Sequence, residues 1–154
     1  MDNQIFSARI PDASATGRAQ IAKTLQAFGE PALRFAAEHG SRVRPLGRGE
    51  RYAEASPALA RLGFDVDAWP APPAGLFVVE ERTVYVRSRS AMTICHEYGH
   101  ALDCDLGGGM YLSGIDPAVR AAFVSAQQFV TPYAATRIDE YFAVMWNLNW
   151  MPRG

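Results

Sequence analysis

The segment Trp69-Pro70-Ala71-Pro72-Pro73-Ala74-Gly75 restricts this chain more than any other. A proline nitrogen has no hydrogen to donate and its ring fixes φ. Pro70, Pro72 and Pro73 therefore admit neither a helix interior nor a central strand. The segment is predicted to be a stiff connector, and it separates two blocks of different patterning.

Ahead of it the pattern is helical. Asp12, Ser14 and Thr16 offer N-caps for a segment with Ile21, Leu25 and Phe28 on one side. Gly29 and Pro31 end that helix and begin another, in which Leu33, Phe35 and Ala36 precede a stop at His39-Gly40. Residues 41–56 are basic and Gly-rich, with a short strand expected around Val43 and a brief helix from Pro57 to Gly63. Behind the connector, Leu76-Phe77-Val78-Val79 and Thr83-Val84-Tyr85-Val86 flank Glu80-Glu81-Arg82, which predicts a β-hairpin. Helical character returns from Ala91 to about Leu106, where Gly107-Gly108-Gly109 ends it. Another helix is expected from Asp116-Pro117 to about Phe129, and a last one from Ile138 to about Trp150. This order predicts an α+β fold with a small antiparallel sheet. The 154 residues suit a single domain, residues 1–70 forming a helical N-terminal part and 75–150 the core.

Composition removes several classes of function. A net charge of −1 lacks the basic surface that nucleic-acid binding requires. The apolar runs stop well short of the roughly 18 residues of a membrane span, and no signal peptide is visible, so a cytoplasmic location is expected. Cys95 and Cys104 fall on one predicted helix with Cα atoms roughly 13 Å apart, too far for a disulfide. Two free thiols suit a reducing compartment, and Cys95 is expected to pack as a small hydrophobe rather than to act as a redox switch.

The chemistry concentrates at His96-Glu97-Tyr98-Gly99-His100, an HExxH pattern inside the predicted helix. Histidines at i and i+4 project from one face, close enough to bind a single zinc ion. Glu97 stands about 100° further round, where it can take a proton from an attacking water. Ile94, Tyr98, Ala101 and Leu102 form an apolar back face, so pattern and chemistry agree on the same helix.

A catalytic zinc needs a third protein ligand. The remaining histidine, His39, sits at a helix C-terminus, where a cation is favoured, and is expected to be structural or exposed. The third ligand should therefore be a carboxylate. Glu140 is the first candidate, on the last helix, with Ile138, Phe142 and Met145 as that helix's expected buried side. Asp139 is its neighbour in register. Asp103, seven residues after His96, shares the metal face of the first helix. One helix can hardly wrap three ligands round a tetrahedral ion, so Asp103 is expected instead to accept a hydrogen bond from a ligand imidazole.

These residues resemble the peptidase domain of the anthrax lethal factor family and the related small Pro-Pro endopeptidases. The likeness spans roughly residues 75–146. It is carried by Gly75-Leu76-Phe77-Val78 with Thr83-Val84-Tyr85-Val86, by His96-Glu97-Tyr98-Gly99-His100-Ala101-Leu102-Asp103, and by Tyr133-Ala134 seven residues before Glu140-Tyr141-Phe142-Ala143. Residues 1–70 carry no such likeness. The resemblance implies a zincin-like fold in which the hairpin is followed by the HExxH helix and a C-terminal helix bearing the third ligand. It implies a gluzincin-type zinc metalloendopeptidase with His96, His100 and Glu140 as metal ligands, Glu97 as general base and Tyr133 as oxyanion donor. The chain differs where a second acidic residue commonly follows Phe-Ala, a place held here by Val144.

The expected partner is a protein or peptide substrate, with no nucleic acid and no membrane. An exposed edge of the hairpin could hold it as an added strand. Two alternatives share the ligand set. The chain is also similar to regulatory peptidases that cleave phage-type repressors, in which a Glu-containing helix with Phe-Ala lies near a Met-Pro such as Met151-Pro152. A zinc-stabilised interaction module without activity is the other, against which the intact Glu97 argues.

Overall fold

A computed structural model describes residues 14–125 together with Asp139, Glu140 and Ala143, which are helical. Helix α1 (Ala15–Leu25) starts where the Ser14 hydroxyl accepts the Gly17 N–H at 3.1 Å. It buries Ile21 and Leu25, and a 3-10 turn carries Phe28 onto the same side. Helix α2 (Glu30–Glu38) follows at once, with Leu33, Ala36 and Ala37 buried. Strand β1 is Arg42–Pro45, and two short helices follow, α3 (Tyr52–Ala55) and α4 (Pro57–Leu62), the latter capped by Ser56 and stopped at Gly63.

The proline segment is an exposed connector that is tied down at its far end. The Tyr52 hydroxyl donates to the Pro73 carbonyl at 2.7 Å, and the N–H groups of Arg87 and Ser88 both donate to the Ala74 carbonyl. The expected hairpin then forms from β2 (Gly75–Val78) and β3 (Thr83–Val86), which pair antiparallel with Phe77 opposite Val84. The sheet is larger than the hairpin and is not purely antiparallel. β1 pairs parallel to β3, with Val43 opposite Val84, giving the order β1-β3-β2. Antiparallel pairing can close through a local turn, whereas the parallel strand arrives by a long crossover that no local signal announces.

Helix α5 (Ala91–Leu106) covers one face of the sheet and has the predicted bounds. Its first turn is capped by the Ser90 hydroxyl, which accepts the Thr93 N–H at 3.1 Å. The main core lies between α1, α2, α5 and the sheet face that carries Val43, Phe77, Val84 and Val86. Ile94, Ala101 and Leu102 of the apolar back face are fully or almost fully buried there, so truncating Ile94 to alanine would cost about 2–5 kcal/mol. Leu46, Tyr52, Leu59, Val66 and Tyr85 form a second, smaller core on the opposite face. After α5 the chain turns at Gly107-Gly108-Gly109 into α6 (Leu112–Ile115) and α7 (Pro117–Ser125). The architecture among the described residues is α+β, with seven helices and a three-stranded sheet. No helix among them is long and apolar enough to cross a membrane.

Candidate metal centre

A helical period of 3.6 residues sets His96 and His100 one turn apart on α5, with ring centroids separated by 5.0 Å and planes at 86°. Glu140 comes to them from the far end of the sequence. Its Oε2 lies 2.8 Å from Nε2 of His96 and its Oε1 lies 3.2 Å from Nε2 of His100. One ligand atom from each of the three falls within 4.8 Å of the others, so the group could hold a metal ion. His100 and Glu140 are buried and His96 is partly so, which leaves the cluster open on one side.

The approach of Glu140 depends on small residues. Ala143 is fully buried, one helical turn beyond Glu140, and faces Gly99 between the two histidines. A Cβ at Gly99 would stand 3.4 Å from the Ala143 Cα, so the backbones meet almost without side chains between them. The face of the last helix turned to α5 therefore carries Glu140 and Ala143. The expected buried side, Ile138, Phe142 and Met145, lies outside the described residues.

Without a metal, His100 and Glu140 favour each other's charged forms. Burial opposes a charged His100, but the Glu140 hydrogen bond and the Glu97 and Glu140 charges outweigh it and raise its pKa. Burial likewise opposes an ionised Glu140, yet His100 and His96 hold its carboxyl well below the usual range.

Glu97 sits beside the cluster, as the motif predicts. Burial pushes its pKa up, against the opposing pull of His100 and His96 and of the nearby Phe77 backbone N–H. Strand β2 thus runs beside the carboxylate. Gly75, on the same strand, leaves no room for a side chain beneath it. On the opposite side of β2, Leu59, Leu62, Phe64, Leu76 and Val78 line an open apolar cleft of about 270 Å³.

Asp103 corrects the sequence reading. Its carboxylate is fully buried, but Oδ1 accepts the Ser113 N–H at 2.7 Å and Oδ2 the Ser113 hydroxyl at 2.6 Å. It accepts nothing from an imidazole and is not one of the three clustered groups. Asp139 is buried beside Glu140, also outside the cluster. His39 is exposed, its ring stacked on Phe35 at 4.1 Å and its Nδ1 2.8 Å from the Phe35 carbonyl oxygen, as a helix C-terminus favours. Cys95 and Cys104 are free and buried, and burial raises the Cys95 thiol to about 11, which suits a packing role. Tyr133 and Val144 lie outside the described residues.

Gly75, Gly99, Tyr111 and Ser113 shape the site and escaped the sequence reading. The glycines sit within quoted motifs, but what they approach is distant in the chain. Tyr111 follows the glycine run that signalled only a helix end. Comparison with models of protein families finds no match to this chain, and no curated protein matches it either.

Proposed function

We propose that this chain is a zinc-dependent metalloendopeptidase of the HExxH-plus-glutamate kind, with a zincin-like core of the kind its resemblance to the lethal factor-like peptidases implies. The observation that carries the reading is the convergence of Glu140 on His96 and His100, with Glu97 beside them. Two imidazoles and one carboxylate, the three donors clustered among the described residues, match the protein ligands of a catalytic zinc. Burial of Glu140 and His100 in a metal-free ion pair also leaves a site that a divalent cation can take over.

When bound, zinc supplies Lewis acidity and a water acidified towards neutrality. Glu97 receives the proton of the attacking water and delivers it to the leaving nitrogen, and its raised pKa suits both steps. Tyr133, by its resemblance to the tyrosine of the lethal factor-like peptidases, is assigned to the developing oxyanion. The substrate is a protein or peptide segment laid in extended form along β2, an edge strand of the sheet among the described residues and the one that runs beside Glu97. Alternate side chains of such a segment would reach the apolar cleft beside Leu62 and Phe64. The free thiols fit a reducing, cytoplasmic setting.

The test is the metal content of protein purified without added metal, followed by cleavage of a peptide library with and without chelator. About one zinc per chain and chelator-sensitive cleavage support the proposal. Absence of zinc, before and after incubation with it, overturns the metal reading. Bound zinc with no cleavage of any library member leaves the interaction module instead.

A further inference from the structure

His100 is 5 % exposed, and its Nδ1 has no hydrogen-bond partner among the described residues. A metal-binding imidazole ordinarily donates its far N–H to an acceptor that fixes the ring's rotation. Here rings surround it instead. His96 meets it at 5.0 Å, but His96 is itself part of the cluster and partly exposed. The other is Tyr111, at 5.9 Å with planes at 64°.

Tyr111 is itself held in place. Its ring stands edge-on to Phe77, with centroids 6.5 Å apart, and the backbone of Phe77 lies beside Glu97. Two residues further on, Ser113 is gripped by both oxygens of the buried Asp103, three residues after His100 on α5. Between them the chain reverses sharply. A Cβ at Gly107 would lie 1.7 Å from the Met110 carbonyl oxygen, while Gly108 and Gly109 adopt φ of 68° and 108°. Only glycine permits that return, which brings Tyr111 back onto the helix it has just left.

We propose that Tyr111 is the positioning residue for the His100 imidazole, presented to it by the Asp103–Ser113 clamp and the glycine turn. The proposal rests on the metal reading above. Ring packing, rather than an acceptor, sets the angle at which Nε2 of His100 meets Glu140. The ring, not the hydroxyl, does this. Because Tyr111 also abuts Phe77, it ties the placement of the ligand to that of Glu97.

The experiment compares wild type with Tyr111→Phe, Tyr111→Leu and Tyr111→Ala, and with Asp103→Asn. Imidazole resonances of His100 are recorded first by NMR on the metal-free proteins, and zinc affinity is then measured by chelator competition. Tyr111→Phe should keep the His100 signals and the wild-type affinity. Tyr111→Ala and Tyr111→Leu should shift those signals and weaken zinc about 10–100-fold, and Asp103→Asn should change both in the same direction. If Tyr111→Ala does not fold, as judged by circular dichroism, Tyr111→Leu decides. Unchanged His100 signals, or unchanged affinity, in a folded Leu or Ala variant overturns the proposal. Equal losses in Tyr111→Phe overturn it too, because they assign the effect to the hydroxyl. Wild-type protein that takes up no zinc overturns the metal reading, and this proposal with it, and is recognised because it needs no substitution.

Discussion

Gly75 on β2 lies so close to Glu97 on α5 that a Cβ at this position would come within 2.8 Å of the Glu97 Cγ and 2.8 Å of the Thr93 Cγ2. The absence of a side chain is what lets the strand pack against Glu97, with the Phe77 N–H nearby two residues on. Gly75→Ala must therefore move Glu97 or lift β2 from the helix. Misplacement by about 1 Å can cost on the order of 10²-fold in rate. We expect turnover to fall by about that factor while bound zinc stays at the wild-type level, as checked by kinetics beside metal analysis.

Glu97→Gln separates acid–base chemistry from metal binding. The amide keeps the volume but takes up no proton. Turnover should drop by about 10²–10⁴-fold with zinc content unchanged. Undiminished cleavage would remove Glu97 from the mechanism.

Glu140 and Gly99 should fail in the opposite way. Glu140→Ala removes one of three clustered donors, so zinc should be lost from the purified protein; full retention would return Asp139 or Asp103 as ligand. Gly99→Val leaves every donor in place but pushes against Ala143, whose Cα is already 3.4 Å from where the new Cβ would stand. We expect about a tenfold or greater loss of zinc affinity, since displacing the groups that place a ligand typically costs 10–100-fold. Gly99→Ala should show the smaller effect. Chelator competition measures both.

The metal-free protein should carry its own pH signature. His100 has a raised pKa, so its contribution to stability is fully present below the ordinary value of 6.5 and is lost as pH rises through the raised one. Glu140 has a lowered pKa, so its contribution is present above 4.5 and disappears as pH falls through the lowered one. The metal-free Tm should therefore fall as pH rises from about 6.5 through the raised His100 pKa, and the stabilisation by added zinc should grow over the same interval, because the ion replaces the departing proton. Thermal scans with and without zinc test this. In Glu140→Gln the metal-free decline should be much reduced; an unchanged slope would assign it to other groups.

Tyr133→Phe examines a role that rests on the resemblance alone. Loss of an oxyanion donor costs about 10²–10³-fold in kcat, and zinc content should not change. Equal kcat for the two proteins would make Tyr133 structural.

What the sequence by itself determined is local. The period of α5 places His96 and His100 on one face and Ile94, Ala101 and Leu102 on the other, so the helix from Ala91 to Leu106 and its histidine pair were legible. The hairpin and the proline connector followed from residue chemistry in the same way. The tertiary structure decided what depends on pairs far apart in the chain. It chose Glu140 over Asp103, because Asp103 spends both oxygens on Ser113 while Gly99 and Ala143 let Glu140 approach. It added β1 as a parallel neighbour of β3 and turned a glycine run, read as a helix end, into the bend that returns Tyr111 to His100. Periodicity records which way a side chain leaves its own element; which element it meets is settled by packing, where backbones without side chains can come closest.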